Sequence, residues 1–166
     1  MTVSRSVRID VDPDAVYRAV SDPRQTNRWS PENTAARFDV TSESLPLGAT
    51  FVGSNKRFAF RWVTRCEVVE ATPGVAFAFR VQQIGRKEPK LTAAIALWAY
   101  RLRAVDGGTE VTEEWTDLRA AWPDAAARAF DFIATRGSRF AEFNARNIET
   151  TLANLKRELE RHPATG

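Results

Sequence analysis

The sequence contains very few of the residues on which many catalytic sites depend. Its 166 residues include one cysteine, Cys66, and one histidine, His162, which lies among the last five residues. A lone cysteine cannot close an internal disulfide, which agrees with a reducing compartment. A lone terminal histidine argues against Ser-His-Asp and Cys-His catalysis and against histidine metal sites. HExxH, CxxC and phosphate-binding glycine loops are also absent, so we predict no metal and no cofactor.

Long apolar runs and one-sided charge are missing as well. No segment is apolar for long enough to be a secretory signal or a membrane span, so we expect a cytoplasmic protein. Lysine and arginine total 24 against 21 acidic residues, a net charge of +3. Neither half of the chain has the basic excess of a nucleic-acid-binding arm. We therefore predict no nucleic-acid partner.

Alternating apolar and polar residues predict a chain rich in β-strands. The first strand is expected from Val3 to Val11. Asp12-Pro13 then has the pattern of a helix cap followed by proline at the first helical position, and Pro23 opens a second short helix toward Trp29. Six more strands are expected at Ala36 to Ser42, Ala49 to Asn55, Phe60 to Glu70, Val75 to Val81, Ala94 to Arg103 and Thr109 to Asp117.

The last two strands are expected to form a hairpin at Asp106-Gly107-Gly108. If Gly107-Gly108 is a two-residue loop, Tyr100 faces Trp115, and Arg101 meets Glu114 on the opposite face. This register places the aromatic residues of both strands on one side of the sheet.

The pattern becomes helical from Pro123 to His162, with a predicted break at Gly137-Ser138. Lysine and arginine near its end suit a helix C-terminus. The length fits a single domain over residues 1–166. Apolar residues and one asparagine recur at three- or four-residue steps: Phe130, Ile133, Phe140, Asn144, Ile148, Leu152, Leu155 and Leu159.

The predicted order is one strand, two short helices, six strands and a long helix. This order and several short motifs resemble the polyketide cyclase/dehydrase-like family of the START and Bet v 1 (SRPBCC) superfamily. The motifs are Asp12-Pro13, Asp22-Pro23 before Trp29-Ser30-Pro31-Glu32, Leu47-Gly48-Ala49-Thr50-Phe51, Trp62-Val63-Thr64, Pro73-Gly74 with Phe77-Ala78-Phe79-Arg80, Trp98-Ala99-Tyr100, and Gly107-Gly108-Thr109-Glu110-Val111-Thr112-Glu113.

The resemblance implies an α+β helix-grip fold. In that fold a curved antiparallel sheet of about seven strands, with two short helices after the first strand, wraps around a long C-terminal helix and encloses a cavity. The superfamily includes lipid carriers, hormone receptors, cyclases and chaperone activators on one scaffold. The resemblance therefore implies the fold and leaves the activity open.

Aromatic residues on the inward face either line a ligand cavity or fill the core. Tryptophan and tyrosine bring polar atoms that a plain core rarely needs, and rings on both sheet and helix suit a planar polycyclic or acyl ligand. We place Trp29 either at the cavity mouth or as a cap on the sheet end. The inward set is Trp62, Phe77, Phe79, Trp98, Tyr100, Trp115 and Phe140.

Glu113 shares the inward face with Trp115. An ionised carboxylate there costs several kcal/mol unless it is paired, hydrogen-bonded or protonated. One interpretation is a structural bond to Tyr100, to Asn144 or to an arginine on the helix. The other is a ligand anchor or a general acid/base with a raised pKa.

The outer face of the sheet carries charges of both signs. These are Arg61, Arg65, Arg80, Arg101 and Arg103 with Glu67, Glu110 and Glu114. We interpret them as cross-strand ion pairs at a solvated surface rather than as a basic binding patch.

Three function classes remain open from the sequence. The first is a protein that binds or transfers a small apolar or aromatic molecule, lipid-like or polyketide-like. The second is a cyclase or dehydratase in which Glu113 and Tyr100 move protons. The third is a protein-interaction module that uses the exposed sheet or helix. In each case we expect a monomer or homodimer without a membrane span.

Overall fold

The computed structural model describes residues 1–38, 44–119, 122 and 140–161. Its seven strands form one antiparallel sheet in the order β1-β7-β6-β5-β4-β3-β2. The strands are β1 (Thr2–Ile9), β2 (Asn33–Arg37), β3 (Thr50–Arg57), β4 (Phe60–Thr72), β5 (Ala76–Gly85), β6 (Leu91–Val105) and β7 (Gly108–Asp117). Two α-helices and a 3₁₀ helix complete the described elements: α1 (Pro13–Val20), the 3₁₀ helix Pro23–Arg28 and α2 (Phe140–Arg161). The predicted helix-grip architecture is confirmed.

Several boundaries differ from those predicted. β2 begins at Asn33 rather than at Ala36, and residues 39–42 of the predicted strand lie outside the described residues. β6 is longer than predicted at both ends. The predicted helix before Phe140, its break at Gly137-Ser138 and the terminal His162 also lie outside the described residues.

The predicted register of the last hairpin is wrong by two residues. The loop is Asp106-Gly107, so Val105 pairs with Gly108, and Tyr100 lies opposite Glu113. Aspartate-glycine is a strong hairpin-turn signal, and Gly107 takes the positive φ of 71° that glycine adopts without strain. Gly108 instead lies in the strand, where a Cβ would come within 2.2 Å of the Ile9 carbonyl oxygen.

The side of the sheet predicted for each residue of this hairpin is nevertheless correct. Successive side chains point to opposite faces, so a shift of two residues leaves every face unchanged. Trp98 lies opposite Trp115, and Glu113 is buried on the inner face. On the outer face the predicted meeting of Arg101 with Glu114 is an ion pair of 3.7 Å.

The two α-helices are held as their sequences predict. The Asp12 side chain caps α1 by accepting hydrogen bonds from the backbone N–H groups of Asp14 and Ala15. α2 buries Ile148, Leu152 and Leu155 against the inner face of the sheet. No helix among the described residues is long and apolar enough to cross a membrane.

The prediction of ion pairs on the outer face is confirmed in part. Arg101 pairs with Glu70 as well as with Glu114, and Arg103 pairs with Glu110 at 2.7 Å. Glu67 accepts a hydrogen bond from Gln82. These side chains are largely solvated, so each pair adds little to stability.

Candidate functional site

A cavity of about 780 Å³ lies between the inner face of the sheet and α2. Its size falls in the range that encloses a drug-sized molecule. Eight of the nine residues predicted to bind a ligand line it: Trp62, Phe77, Phe79, Trp98, Tyr100, Glu113, Trp115 and Asn144. The ninth, Phe140, begins α2, and its side chain lies outside the described residues.

Several rings that line the cavity also belong to the core. Phe77 and Trp115 are almost fully buried, yet each contributes to the cavity wall. Phe79 meets Phe51 edge to face, with ring centroids 5.2 Å apart. Core packing and cavity lining are therefore not alternatives for these residues, because the same rings do both.

A polar group is buried at the end of the cavity near the β6–β7 hairpin. The Tyr100 hydroxyl donates a hydrogen bond of 3.2 Å to Oε1 of Glu113. Oε2 of Glu113 and Nδ2 of Asn144 have no hydrogen-bond partner among the described residues, although both atoms are buried. We call Tyr100 and Glu113 the buried polar end.

No ion pair within the described part of the chain gives Glu113 a cation to balance a negative charge. Burial raises the pKa of Glu113 from 4.5 to about 8, and the hydrogen bond from Tyr100 acts in the opposite direction. Burial likewise raises the pKa of Tyr100 well above its usual value, and the neighbouring Glu113 raises it further. At neutral pH both groups are protonated, and the Glu113 carboxyl is a potential hydrogen-bond donor.

Trp29 is not at a cavity mouth, where one interpretation placed it. Its side chain is 1% exposed, it packs in the hydrophobic core, and it is not part of the cavity lining. Its indole lies near enough to Tyr100 to lower the pKa of the hydroxyl, although Nε1 makes no well-formed hydrogen bond. Asn154 of α2 donates to the Trp29 carbonyl at 3.0 Å, which fixes this segment against the helix.

A second polar wall, not predicted from the sequence, is formed by β2, β3 and β4. Asn55 Nδ2 lies 3.4 Å from Thr64 Oγ1, and Oδ1 of Asn33 is buried without a hydrogen-bond partner among the residues that the structure describes. Gly53 leaves room beside Thr64, since a Cβ would lie 3.2 Å from its hydroxyl. Cys66 also lines this wall, and burial raises the pKa of its thiol to about 12, so it is not a thiolate nucleophile at neutral pH.

An ion pair between Arg57 and Glu32 forms another part of the cavity wall. Both side chains are mostly buried, at 12% and 15% exposure, and the guanidinium lies 3.8 Å from the ring centroid of Phe143 on α2. This arrangement joins β3, α2 and the segment after the 3₁₀ helix. Strand alternation would have identified Arg57, because Phe51, Gly53, Asn55 and Arg57 follow one another on the same face of β3.

The described residues contain no cluster of three histidine, cysteine, aspartate or glutamate side chains that could hold a metal ion. The chemistry available in the cavity is therefore that of an apolar, aromatic space with a few hydrogen-bonding groups. Such a space can bind a molecule, and its protonated carboxyl can donate a proton.

Comparison with known proteins agrees with the fold and the cavity. Residues 1–160 match the protein family described as polyketide cyclase / dehydrase and lipid transport. The chain belongs to this family. No match was found among curated protein sequences.

Solved structures of similar fold superpose on nearly the whole of this chain. Protein CV1439 from Chromobacterium violaceum superposes with a TM-score of 0.66 at 17% identity, over 96% of this chain and 97% of that one. The Polyketide_cyc-like protein Cgl2372 from Corynebacterium glutamicum gives 0.56 at 27% identity, over 99% and 97%. DynU16, from the dynemicin biosynthetic locus, gives 0.60 at 17% identity, over 96% of this chain and 47% of its own.

Proposed function

We propose that the protein binds or transfers a small apolar or aromatic molecule in its internal cavity. The observation that carries this proposal is the combination of aromatic walls with buried polar atoms that find no hydrogen-bond partner in the described part of the chain. Native proteins satisfy nearly all buried polar groups, so Oε2 of Glu113 and Nδ2 of Asn144 call for a partner. A bound molecule with oxygen acceptors, such as carbonyl or hydroxyl groups, would satisfy the Asn144 amide and, once Glu113 is protonated, its carboxyl.

The ligand class follows from the walls. Trp62, Trp98 and Trp115 offer flat apolar surfaces, which suit a planar ring system or an acyl chain. The second polar wall offers Thr64 and Asn55 to a second polar group on the same molecule. The family description, which includes both cyclases and lipid transport, is compatible with such a ligand.

A cyclase or dehydratase is the second candidate, and one observation favours it. A carboxyl whose pKa lies near 8 can both donate and accept a proton close to neutral pH, which is the property of a general acid/base. Tyr100 would position Glu113 through its hydrogen bond. The substrate would have to supply its own reactive carbonyl groups.

Native mass spectrometry of the purified protein tests the binding proposal. We expect a retained small molecule, whose mass and fragments identify its class. Prolonged incubation of that molecule with the protein then separates the two functions. Unaltered ligand supports a carrier, whereas a product of cyclisation or water loss supports the enzyme.

Glu113→Gln links the ligand to the buried polar end. This variant keeps the shape of the side chain but removes the proton that can be transferred. We expect the identified ligand to bind more weakly, with melting temperature at neutral pH unchanged or raised. Glu114→Gln, on the outer face of the same strand, is the matched control. A large drop in melting temperature for Glu113→Gln alone would instead assign the carboxyl a structural role.

A further inference from the structure

The end of the cavity away from the buried polar end is bordered by exposed apolar side chains. Phe58 and Phe60, in the β3–β4 hairpin, are 61% and 53% exposed, and Leu91, at the start of β6, is 61% exposed. All three also line the cavity. Exposed apolar side chains next to an apolar cavity are typical of surfaces that bind another apolar surface.

The β3–β4 turn holds one of these rings in an unfavourable backbone conformation. Phe58 has a φ of 54°, the only positive φ of a non-glycine residue in the described part of the chain. Glycine or asparagine adopts that conformation more readily, and a bulky residue there is uncommon. A mostly exposed aromatic side chain held in such a turn is a candidate for a functional contact.

The hairpin is continuous with the interior. Phe60 stacks on Trp62 with ring centroids 5.7 Å apart, and Trp62 lines the cavity. The buried polar end lies far from Phe60 along the sheet. Tyr100 pairs with Phe77 of β5, and Phe77 pairs with Ala71 of β4. Ala71 is eleven residues beyond Phe60 on the same strand. The exposed rings therefore mark the end opposite the buried polar end.

Basic residues flank these apolar residues in the sequence. Residues 56–61 and 86–91 together contain six basic residues and one acidic residue, in a chain whose net charge is +3. Arg57 is paired with Glu32, and Lys90 with Glu88 at 3.1 Å. Lys56, Arg61, Arg86 and Lys87 are exposed. We call Phe58, Phe60, Leu91, Arg61, Arg86 and Lys87 the apolar-basic rim.

We propose that the apolar-basic rim binds the surface of an anionic lipid bilayer, so that the cavity exchanges its occupant directly with the membrane. Apolar side chains enter the boundary between headgroups and acyl chains, while lysine and arginine are attracted to anionic headgroups. Exchange of an occupant rests on the proposed function, but adsorption to the bilayer does not require an occupied cavity. The two proposals can therefore fail separately.

Two other occupants of the rim are less well supported by its composition. A second copy of this chain would bring the same positive charges against each other, which opposes a symmetric contact. Single-stranded RNA would use the phenylalanine rings and the basic residues but gives no role to Leu91, nor to the continuity of the rings with an apolar cavity. A bilayer uses all of these features.

Sedimentation with vesicles tests the proposal. The probe is a phosphatidylcholine vesicle, either pure or with about one third phosphatidylglycerol. We expect binding to the anionic vesicles, weak binding to the neutral ones, and loss of affinity as salt rises. Phe60→Ser and Leu91→Ser should each weaken binding about tenfold, and Lys87→Glu by more than about fivefold.

Two exposed residues outside the cavity lining serve as matched controls. Val75→Ser removes an apolar side chain that is 54% exposed, and Arg18→Glu reverses an exposed charge on α1. Neither should change vesicle binding. Near-native melting temperatures without vesicles would establish that each variant is folded.

The outcomes are distinct. Anionic vesicle binding that the rim variants weaken and the controls do not supports the proposal. No binding by the wild-type protein overturns it, and uptake of a neutral apolar dye in the same sample leaves the proposed function standing. Self-association that Phe60→Ser abolishes, or tighter binding to single-stranded RNA than to anionic vesicles, overturns it in favour of those partners.

Discussion

Two carboxylates contribute to the same cavity in opposite surroundings. Glu32 is paired with Arg57, whose guanidinium also lies over the Phe143 ring. Glu113 has one neutral hydrogen-bond donor, Tyr100, and a second oxygen without a partner. The first arrangement is complete within the protein and is typical of structural support. The second is incomplete among the described residues, and a bound ligand is the explanation that we propose for it.

The largest expected effect is a difference in how stability responds to pH. The Glu113 carboxyl ionises near pH 4.5 in the unfolded chain and near pH 8 in the folded protein. Between these values folding takes up a proton, so the free energy of unfolding falls as pH rises. The stabilisation that the protonated Glu113 carboxyl contributes is fully present below its unfolded-state pKa. It is lost as pH rises through its folded-state pKa.

Glu113→Gln should remove this dependence. Relative to the wild-type protein, the variant should gain about 3 kcal/mol between pH 5 and pH 7.5. Urea unfolding across that range measures the gain. Glu114→Gln should follow the wild-type curve. Parallel curves for Glu113→Gln and the wild-type protein would mean that the carboxyl is already ionised in the folded state.

Removing the charge of Arg57 should lower stability, whereas removing that of Glu113 should not. Arg57→Leu leaves the mostly buried Glu32 carboxylate without its partner and removes the cation over Phe143. We expect a loss of about 2 kcal/mol in the free energy of unfolding, below the range for fully buried pairs because both side chains retain some solvent contact. Adding Glu32→Gln should recover part of it. Equal stability of Arg57→Leu and the wild-type protein would contradict a structural role for the pair.

Tyr100→Phe should have a smaller effect. Removal of the hydroxyl leaves Oε1 of Glu113 without its donor, which costs about 1 kcal/mol. Because that hydrogen bond lowers the pKa of Glu113, its loss should shift the pH dependence of unfolding toward higher pH. Tyr17→Phe is the control, since the Tyr17 hydroxyl makes no hydrogen bond within the described residues. An equal effect of both substitutions would show that the Tyr100–Glu113 bond contributes nothing specific.

The sequence predicted faces better than it predicted register or long-range pairs. Strand alternation depends only on period two, so Glu113 was placed inside although its hairpin partner was wrong by two residues. The register depended on whether Asp106-Gly107 or Gly107-Gly108 forms the turn. The close approach of Gly108 to the Ile9 carbonyl, which decides the role of that glycine, joins positions about a hundred residues apart.

The site features that the sequence did not predict also depend on contacts between residues far apart in the chain. Glu32 and Arg57 are 25 residues apart, and nothing in their local patterns indicates that β2 brings them together. Trp29 stands in a loop-like motif, so its burial against Asn154 of α2 could not be read from its neighbours. Alternation alone also cannot tell a ring that fills the core from one that lines a cavity, and here Phe77 and Trp115 do both.

Titration with a neutral, environment-sensitive apolar dye such as Nile red tests the central claim most directly. We expect saturation near one dye per chain and quenching of tryptophan emission, because Trp62, Trp98 and Trp115 line the cavity. Ala96→Trp places an indole in the cavity and should weaken this binding while the protein stays folded. Absence of saturable binding to the folded wild-type protein, or undiminished binding to Ala96→Trp, would contradict an internal ligand site.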